Sequence, residues 1–295
     1  MTLNACDMLP GKAASTQPAL DMMNVESAVL GRIGHLETRL ATSAAEIEAA
    51  QAVRFDVFAR EMGAHLPPES MRRARDMDAF DDVCDHLLVL DRSILGTSED
   101  QIVGTYRLLR QDVARANHGF YSTSEFAVAD MLARHPEKRF MELGRSCVLP
   151  QYRTRRTMEL LWHGNWAYAL EHGIDAMFGC ASLHGIHPEA HALALSYLHH
   201  HCMARGTWAV KARPELFCTM DLMPKEATNS RAAINTMPPL LKGYLRLGAM
   251  IGNGAVIDKS FGTTDVMVVL PIAQISDRYI NYYGADASRF ASQPA

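Results

Sequence analysis

The chain alternates between strand-like and helix-like segments from residue 35 to about residue 205, and this alternation restricts its fold more than any other feature. Short apolar or alternating runs predict strands at 35–41, 86–90, 102–109, 139–149 and 175–181. Apolar residues at helical spacing predict helices at 44–63, 125–134, 157–171 and 188–205. Short polar connections separate these segments. The order therefore predicts an α/β fold in which helices flank a mixed sheet.

The segments after residue 205 are expected to belong to the same domain. They comprise a helix candidate at 238–248 and strand candidates at 250–257 and 264–270. We therefore divide the chain into a core at 31–205 and a C-terminal extension at 206–295 that completes it. Residues 1–30 have no basic start followed by an apolar block, so they predict a poorly ordered N-terminus and not a signal peptide.

The composition excludes several classes of protein. With 295 residues, 48% of them apolar, the chain can bury a large core, which excludes a disordered chain and a disulfide-stapled miniprotein. The net charge of −4 provides no global field for nucleic acid. No run reaches the roughly 18 apolar residues of a membrane span. Six scattered cysteines without a C-x-x-C pair predict reduced thiols in a cytoplasmic protein.

Three patterns that suggest a metal or a nucleotide fail on physical grounds. In HPEAH at 187–191 the glutamate stands one place too late for a zinc protease, and Pro188 marks a helix start. The run His199–His201 points its side chains in three directions on a helix. Gly252 and Gly254 lack the third glycine of a dinucleotide fingerprint. We expect no metal site.

An acidic cluster surrounds Phe80 between a predicted helix and a predicted strand. Its members are Asp76, Asp78, Asp81, Asp82 and Asp85. Carboxylates that converge on a loop raise each other's pKa unless a cation lies among them, and a cationic amine substrate is one candidate. Internal pairing with the neighbouring Arg72, Arg73 and Arg75 is the other interpretation.

Charged residues also interrupt two apolar strands. Arg107 lies in IVGTYRLL, and Glu142 and Arg145 lie in FMELGRSCVL beside Gly144. Because buried charges are costly unless they are paired, these residues line either an ion-pair network or a polar cleft. An interior glycine suggests a bulge or the close approach of a ligand.

A basic turn precedes the helix predicted at 157–171. Residues 137–156 carry six cations against two carboxylates, and Arg153, Arg155 and Arg156 cluster at the turn. Cations at a helix start oppose the helix dipole, whereas backbone amides there bind phosphate. A site for an anionic group is favoured over a merely solvated turn.

The strand, basic turn and helix at 148–163 resemble the acyl-donor segment of the N-acyltransferase superfamily typified by acetyltransferases. That superfamily has a glycine-rich turn, whose amides wrap the pyrophosphate of coenzyme A. The turn here reads Thr154, Arg155, Arg156, Thr157 and contains no glycine. Acyl carrier protein presents a single phosphate and an acidic surface, which suit arginines. The resemblance therefore implies acyl carrier protein as the donor.

Longer strings resemble the acyl-homoserine lactone synthases and, more closely, the bacterial ornithine N-acyltransferases. The strings are RFDVFAREMG, DMDAFDDVCDHLLVLD, IVGTYRLLR, ELGRSCVLPQYRT, RRTMELLW and MFGCASLHG, within residues 35–284. The resemblance implies a GNAT-like fold and transfer of a 3-hydroxyacyl group from the phosphopantetheine of acyl carrier protein to the α-amine of L-ornithine. It implies neither a covalent enzyme intermediate nor a tightly bound cofactor.

The resemblance also implies roles for particular residues. Glu142 is the candidate base, and backbone amides near Cys147 and Val148 are candidates for polarising the thioester. Arg107 or Arg145 is expected to bind the substrate carboxylate. The side-chain ammonium is expected at Asp78 or Asp81. Arg54 and Glu61 also match family segments and are assigned to substrate binding, with pairing to the acidic loop as the alternative.

Three rival functions remain open. A homoserine lactone synthase would use S-adenosylmethionine, a coenzyme A dependent acetyltransferase would need the missing glycines, and a degenerate module would bind acyl carrier protein without turnover. The thiol of Cys147 is interpreted as structural, because direct attack by the amine needs no nucleophile. Lys242 and Arg246 lie on one side of a short helix that either packs on the core or contacts an anionic membrane surface.

Overall fold

A computed structural model describes residues 29–275, in which eight strands form a single sheet. The strands are β1 (Gly31–Ile33), β2 (Leu36–Leu40), β3 (Asp85–Asp91), β4 (Ile102–Arg110), β5 (Phe140–Val148), β6 (Ala176–His184), β7 (Met250–Asp258) and β8 (Thr263–Pro271). Their order across the sheet is β1-β2-β3-β4-β5-β6-β8-β7, and every neighbouring pair is antiparallel except the parallel pair of β5 and β6.

Helices cover the sheet and connect its strands. They are α1 (Ala44–Phe55), α2 (Pro68–Arg73), α3 (Gln111–Ala116), α4 (Val128–Ala133), α5 (Arg155–Glu171), α6 (Ala192–His201), α7 (Ser230–Thr236) and α8 (Pro239–Arg246). A π-helical turn at Asp56–Glu61 extends α1. No helix among residues 29–275 has the length and apolar character needed to cross a membrane.

The sheet is buried on both faces because its central strands are apolar at nearly every position. In β3, Leu87 and Val89 pack in the cluster that contains α5, while Leu88 and Leu90 pack in the cluster that contains α1. A strand that is covered on both faces has a continuous run of hydrophobic residues, and β3 has this pattern in HLLVLD. The expected mixed sheet with helices on both faces is confirmed.

A bulge in β5 redirects the strand at the centre of the sheet. Thr105 of β4 lies opposite Cys147 and Arg107 lies opposite Gly144, so β5 takes one residue more than its partner over this stretch. Arg145 occupies this stretch with a φ of 51°, a left-handed conformation that a residue with a Cβ adopts at a cost. The bulge expected beside Gly144 is present, and Arg145 is its strained member.

Beyond Glu142, β5 and β6 separate. Their parallel pairing covers only Phe140–Glu142 opposite Ala176–Phe178, although each strand has nine residues. Gly179 follows at the point of separation, where an added Cβ would overlap the carbonyl oxygen of Leu143. β6 continues against β8 for its whole length. The edge of β5 that would have paired with β6 is therefore open.

Several predicted boundaries differ from the observed ones. The helix expected at 125–134 is the shorter α4, and the helix expected at 188–205 divides into a 3₁₀ turn at Pro188–His191 followed by α6. The helix expected at 157–171 begins two residues earlier, because Thr154 caps it by accepting the amide of Thr157. The poorly ordered N-terminus expected at 1–30 lies almost wholly outside the described residues.

Candidate active site

A cavity of about 540 Å³ opens where β5 separates from β6. Ionisable residues of the sheet and its connections line it, namely Arg107, Glu142, Arg145, Asp258 and Asp265. Apolar residues of α5 and of the segment around α8 also line it, namely Met158, Pro238, Pro239, Leu240 and Leu241. The cavity thus joins a polar chamber to an apolar one, which suits a substrate with a charged end and a hydrocarbon end.

Arg54 anchors the acidic segment to α1 from a fully buried position. Its guanidinium contacts Asp76 at 2.9 Å and both carboxylate oxygens of Asp81 at 2.8 Å. Burial raises the pKa of Asp81, but the hydrogen bonds from Arg54 and the charge of Arg107 outweigh burial and hold that pKa well below its ordinary value. The carboxylate of Asp81 is therefore ionised, and the hydrogen bonds from Arg54 hold both aspartates in place.

Two strand arginines complete this network at the cavity. Arg107 contacts Asp78 at 2.5 Å and Asp81 at 3.2 Å. Arg145 contacts Asp76 at 3.2 Å and Asp78 at 3.3 Å. Arg107 and Arg145 line the cavity, whereas the aspartates lie behind them, outside its lining. The aspartates therefore position the arginines.

The network decides between the two interpretations of the acidic cluster. Its aspartates are paired internally, but the expectation that Arg72, Arg73 and Arg75 are the partners is wrong. Arg72 and Arg73 pair with Glu69, and Arg75 pairs with Glu48. Helix α2 ends at Arg73, where the left-handed Ala74 turns the chain away, so neighbours in sequence face different directions.

Glu142 is buried in the polar chamber and supports the segment before α4. Its two carboxylate oxygens accept the backbone amides of Tyr121 at 2.7 Å and Ser122 at 2.8 Å. Burial raises the pKa of Glu142, and the hydrogen bonds from Ser122 and Tyr121 oppose that rise. A raised pKa suits a group that accepts a proton, while the two amides hold the carboxylate in a fixed orientation.

Arg145 is sandwiched between aromatic rings inside the chamber. Its guanidinium carbon lies 4.9 Å from the ring centre of Tyr121 and 4.4 Å from that of Phe261. Burial lowers its pKa, but Tyr121 and the aspartates of the network more than compensate, so the pKa is raised and the guanidinium is charged. The bulge thus places a fixed positive charge against the cavity.

The backbone of Val148 faces the open edge of β5. The amide of Leu149 donates to the carbonyl of Val103 on the β4 side. In an antiparallel pair, successive residues direct their backbone groups to opposite sides of the strand. The amide of Cys147 therefore faces β4, and the N–H and C=O of Val148 face the cavity. Arg153 donates to the Val148 carbonyl at 3.0 Å, as this direction requires. Val148 is the better placed of the two candidate amide donors.

The thiol of Cys147 is buried. Burial raises its pKa to about 12, so the side chain is a neutral thiol at physiological pH. A neutral thiol is a poor nucleophile, which is consistent with direct attack by an amine.

The basic turn lies at the mouth of the cavity. Arg153, Thr154 and Arg155 line it at the start of α5. Arg153 donates two hydrogen bonds of 2.6 Å to the carboxylate of Glu61. Glu61 therefore pairs with Arg153 and not with the acidic loop. Arg155 contacts Glu159, and Arg156 is exposed. Two arginines and a helix N-terminus thus meet at one opening, and the exposed Arg156 follows them in the first turn of α5.

Three further carboxylates form a cluster that the sequence analysis missed. Glu125, Asp258 and Asp265 offer oxygens that all lie within 4.8 Å of one another. Burial, followed by the charge of Asp265, raises the pKa of Glu125 to about 7, and burial raises the pKa of Asp265 to about 6. The signal was available, because Asp265 interrupts the buried strand TTDVMVVL as Arg107 and Glu142 interrupt theirs.

A second group of metal-ligand type lies on the surface. His199 and His200 approach Asp221, with ring nitrogens 3.9 and 3.3 Å from its carboxylate oxygens. The expectation that successive histidines point apart is therefore incomplete, because two of the three reach one carboxylate. His200 also contacts the carbonyl of Met223 at 2.9 Å, and none of the three residues lines the cavity.

Relatives of this chain share one name. It is 69% identical over 266 residues to the L-ornithine N(alpha)-acyltransferase of Rhizobium meliloti strain 1021, covering 90% of each chain. It is 67% identical to that of Agrobacterium fabrum, over 88% of this chain and 89% of the relative. The chain belongs to the L-ornithine Nα-acyltransferase family. A member from Rhodobacter capsulatus is 39% identical over 84% of this chain and 94% of its own.

Two broader comparisons also gave matches. A family model described as an acetyltransferase (GNAT) domain matches residues 53–163. Among solved structures, an N-acyl amino acid synthase from uncultured soil microbes aligns at a TM-score of 0.47 and 11% identity, over 81% of this chain and 91% of that one. The AHL synthase LasI aligns at 0.45 and 10%, over 88% and 99%.

The buried network yields a stability test at two adjacent aspartates. Changing Asp81→Asn should lower the free energy of unfolding by about 3 kcal/mol, because Arg54 and Arg107 lose a buried counter-charge. Asp82→Asn is the matched control, since Asp82 is exposed and a surface change shifts stability by about 0.5 kcal/mol or less. Urea unfolding measures both, and equal midpoints would contradict the role given to Asp81.

Proposed function

We propose that this protein transfers a 3-hydroxyacyl group from acyl carrier protein to the α-amine of L-ornithine, forming an amide. The observation that carries the proposal is 69% identity over 90% of the chain to a protein named L-ornithine N(alpha)-acyltransferase. The product is a lyso-ornithine lipid, the first intermediate of ornithine lipid synthesis.

The mouth of the cavity supports acyl carrier protein as the donor. Coenzyme A carries a pyrophosphate, which glycine-rich turns wrap with backbone amides, and the turn Arg153–Arg156 has no glycine. Three arginines at the start of α5 suit one phosphate and the acidic surface of a carrier protein. We propose that the pantetheine arm runs along the open edge of β5 and brings the thioester to Val148.

The cavity also accommodates the two halves of the reaction. The amide of Val148 would stabilise the oxyanion that forms when the amine attacks the thioester. Glu142 would accept the proton of the amine, directly or through a water, and Arg145 and Arg107 would attract the substrate carboxylate. Collapse of the oxyanion would break the carbon–sulfur bond, and the pantetheine would leave as a thiol by taking up the proton that Glu142 accepted. The hydrocarbon chain would extend towards Leu240 and Leu241, which line the cavity. No step requires a tightly bound cofactor.

Because the proposed product is a lipid, we expect the enzyme to act at a membrane surface. We propose a cytoplasmic protein that makes peripheral contact with the inner face of the cytoplasmic membrane, although α8 is an unsuitable anchor. Its apolar residues Leu241 and Tyr244 are buried, and the hydroxyl of Tyr244 lies 2.6 Å from that of Tyr106.

An assay with purified protein tests the reaction, the donor and the acceptor together. With a 3-hydroxyacyl carrier protein and L-ornithine, mass spectrometry should detect one Nα-acylated ornithine. S-adenosylmethionine in place of ornithine and acetyl coenzyme A in place of the carrier should give no comparable turnover. A product from either of these would favour a homoserine lactone synthase or an acetyltransferase, and carrier binding without any product would favour a degenerate module.

The basic turn yields a prediction about the donor. Changing Arg153, Arg155 and Arg156 together to Ala should raise KM for the carrier about tenfold or more and flatten its dependence on salt, because charge attraction across the docking surface is lost. The matched control changes the exposed Arg72, Arg73 and Arg115 to Ala, which alters the net charge equally. Identical salt dependence in the two variants would place the docking surface elsewhere.

The role of Glu142 can be tested through its pH profile. Burial raises its pKa, so the carboxylate is lost by protonation as the pH falls through that raised value, and kcat should decline on the acidic side. Glu142→Gln should lower kcat about 100-fold or more and remove this decline, with little change in carrier KM. If Glu142→Gln lowers kcat but kcat still declines at low pH, Glu142 is not the base, and its role is to hold the backbone amides of Tyr121 and Ser122.

A further inference from the structure

Glu125, Asp258 and Asp265 form a cluster of carboxylates beside the substrate cavity that has no salt-bridge partner among residues 29–275. Asp258 and Asp265 line the cavity, and Glu125 stands with them at the ends of β7 and β8. Asp265 is buried, with an exposed fraction of 6%, and its Oδ1 has no hydrogen-bond partner. A buried carboxylate oxygen without a partner is costly, so it indicates a missing donor.

The neighbours of the cluster provide hydrogen bonds but leave this oxygen without a donor. Hydrogen bonds from the side chains of Ser182 and Thr263 lower the pKa of Asp265, against the larger effect of burial. Glu125 accepts a hydrogen bond from the thiol of Cys180 at 3.4 Å, and Asp258 accepts hydrogen bonds from the backbone amides of Ser260 and Phe261. Among residues 29–275 no lysine or arginine forms a salt bridge with any of the three carboxylates. The charge of Arg145 lowers the pKa of Glu125 and of Asp265, but its guanidinium is hydrogen-bonded to Asp76 and Asp78.

We propose that Asp265, with Asp258 and Glu125, binds the side-chain ammonium of the acceptor amino acid and thereby selects a diamino acid over a neutral one. The assignment rests on the proposed function and replaces Asp78 and Asp81 as the site of this ammonium. Those aspartates already have two arginine partners each, whereas the cluster has none. An ammonium would give Asp265 Oδ1 its hydrogen bond and offset part of the negative charge.

The chemistry of the reaction assigns the non-reacting amine to this cluster. The α-amine must lose a proton before it attacks, and a group of carboxylates would stabilise its charged form and oppose that loss. The side-chain amine takes no part in bond formation, so a site that keeps it protonated assists binding and prevents acylation at the wrong nitrogen. Asp258 and Asp265 of the cluster lie on β7 and β8, across the opening from β5, so the α-amine can face the edge of β5.

The test compares L-ornithine with L-norvaline, which has the same carbon chain without the side-chain amine. The donor is the one that supports wild-type turnover. Asp265→Asn should reduce the ratio of kcat/KM for ornithine to that for norvaline by about 10- to 100-fold, the range of one charged hydrogen bond. The loss should appear in KM for ornithine, while kcat/KM for norvaline stays within about twofold. Asp221→Asn, an exposed carboxylate beside His200, should leave the ratio unchanged.

Folding does not obscure this test. Asp265→Asn removes a buried charge, so its Tm at pH 8 should equal or exceed that of the wild type. Asp258→Asn is a second variant at a half-buried position, and it should lower the same ratio if the cluster binds the ammonium.

Three outcomes would overturn the proposal. A ratio within about twofold of the wild type in both variants would place the ammonium elsewhere, and an equal loss for ornithine and norvaline would assign the cluster to the chemical step. Loss of wild-type activity in EDTA that Ca²⁺ or Mg²⁺ restores would assign the carboxylates to a metal ion. A wild-type protein that acylates another amine but not ornithine would instead refute the proposed function itself.

Discussion

The separation of β5 from β6 is the constraint on which the rest of the site depends. After three paired residues the strands part, and the open edge of β5 provides backbone groups that no neighbouring strand occupies. The bulge at Arg145 adds one residue to β5, which turns this arginine into the opening and leaves Val148 facing it. If β5 continued to pair with β6 beyond Glu142, the neighbouring strand would occupy these backbone groups and the opening would close.

The two charged groups around the cavity differ in how their charges are balanced. Three arginines and three aspartates form a compensated network, so their burial is tolerated and their geometry is fixed. Glu125, Asp258 and Asp265 have no arginine or lysine partner in the described part of the chain, and the pKa values of Glu125 and Asp265 are raised to about 7 and about 6. The compensated network therefore fixes the structure around the cavity. A carboxylate cluster without a cationic partner in the cavity wall is what the proposed ammonium site requires.

The central strands were predictable because they carry apolar residues on both faces. HLLVLD and IVGTYRLLR admit few other interpretations, and the charges inside such strands correctly marked Arg107, Glu142 and Arg145 as cavity or network residues. The same reasoning should have included Asp265. Short elements such as α2, α3 and α7 were missed, because six or seven residues show too little periodicity to separate a helix from a turn. The partners of the aspartates were also mispredicted.

What the sequence by itself determined is the order of strands and helices, the family resemblance, and the presence of costly charges in apolar strands, since these follow from local pattern. Tertiary structure decided which charges meet. Asp81 is adjacent in sequence to a basic segment, yet it pairs with Arg54 of α1 and Arg107 of β4, because α2 turns that segment away. Glu125 and Asp265 are 140 positions apart and become neighbours only through the packing of the segment before α4 against β8. Pairing of charges depends on distance in space, and no local pattern encodes that distance.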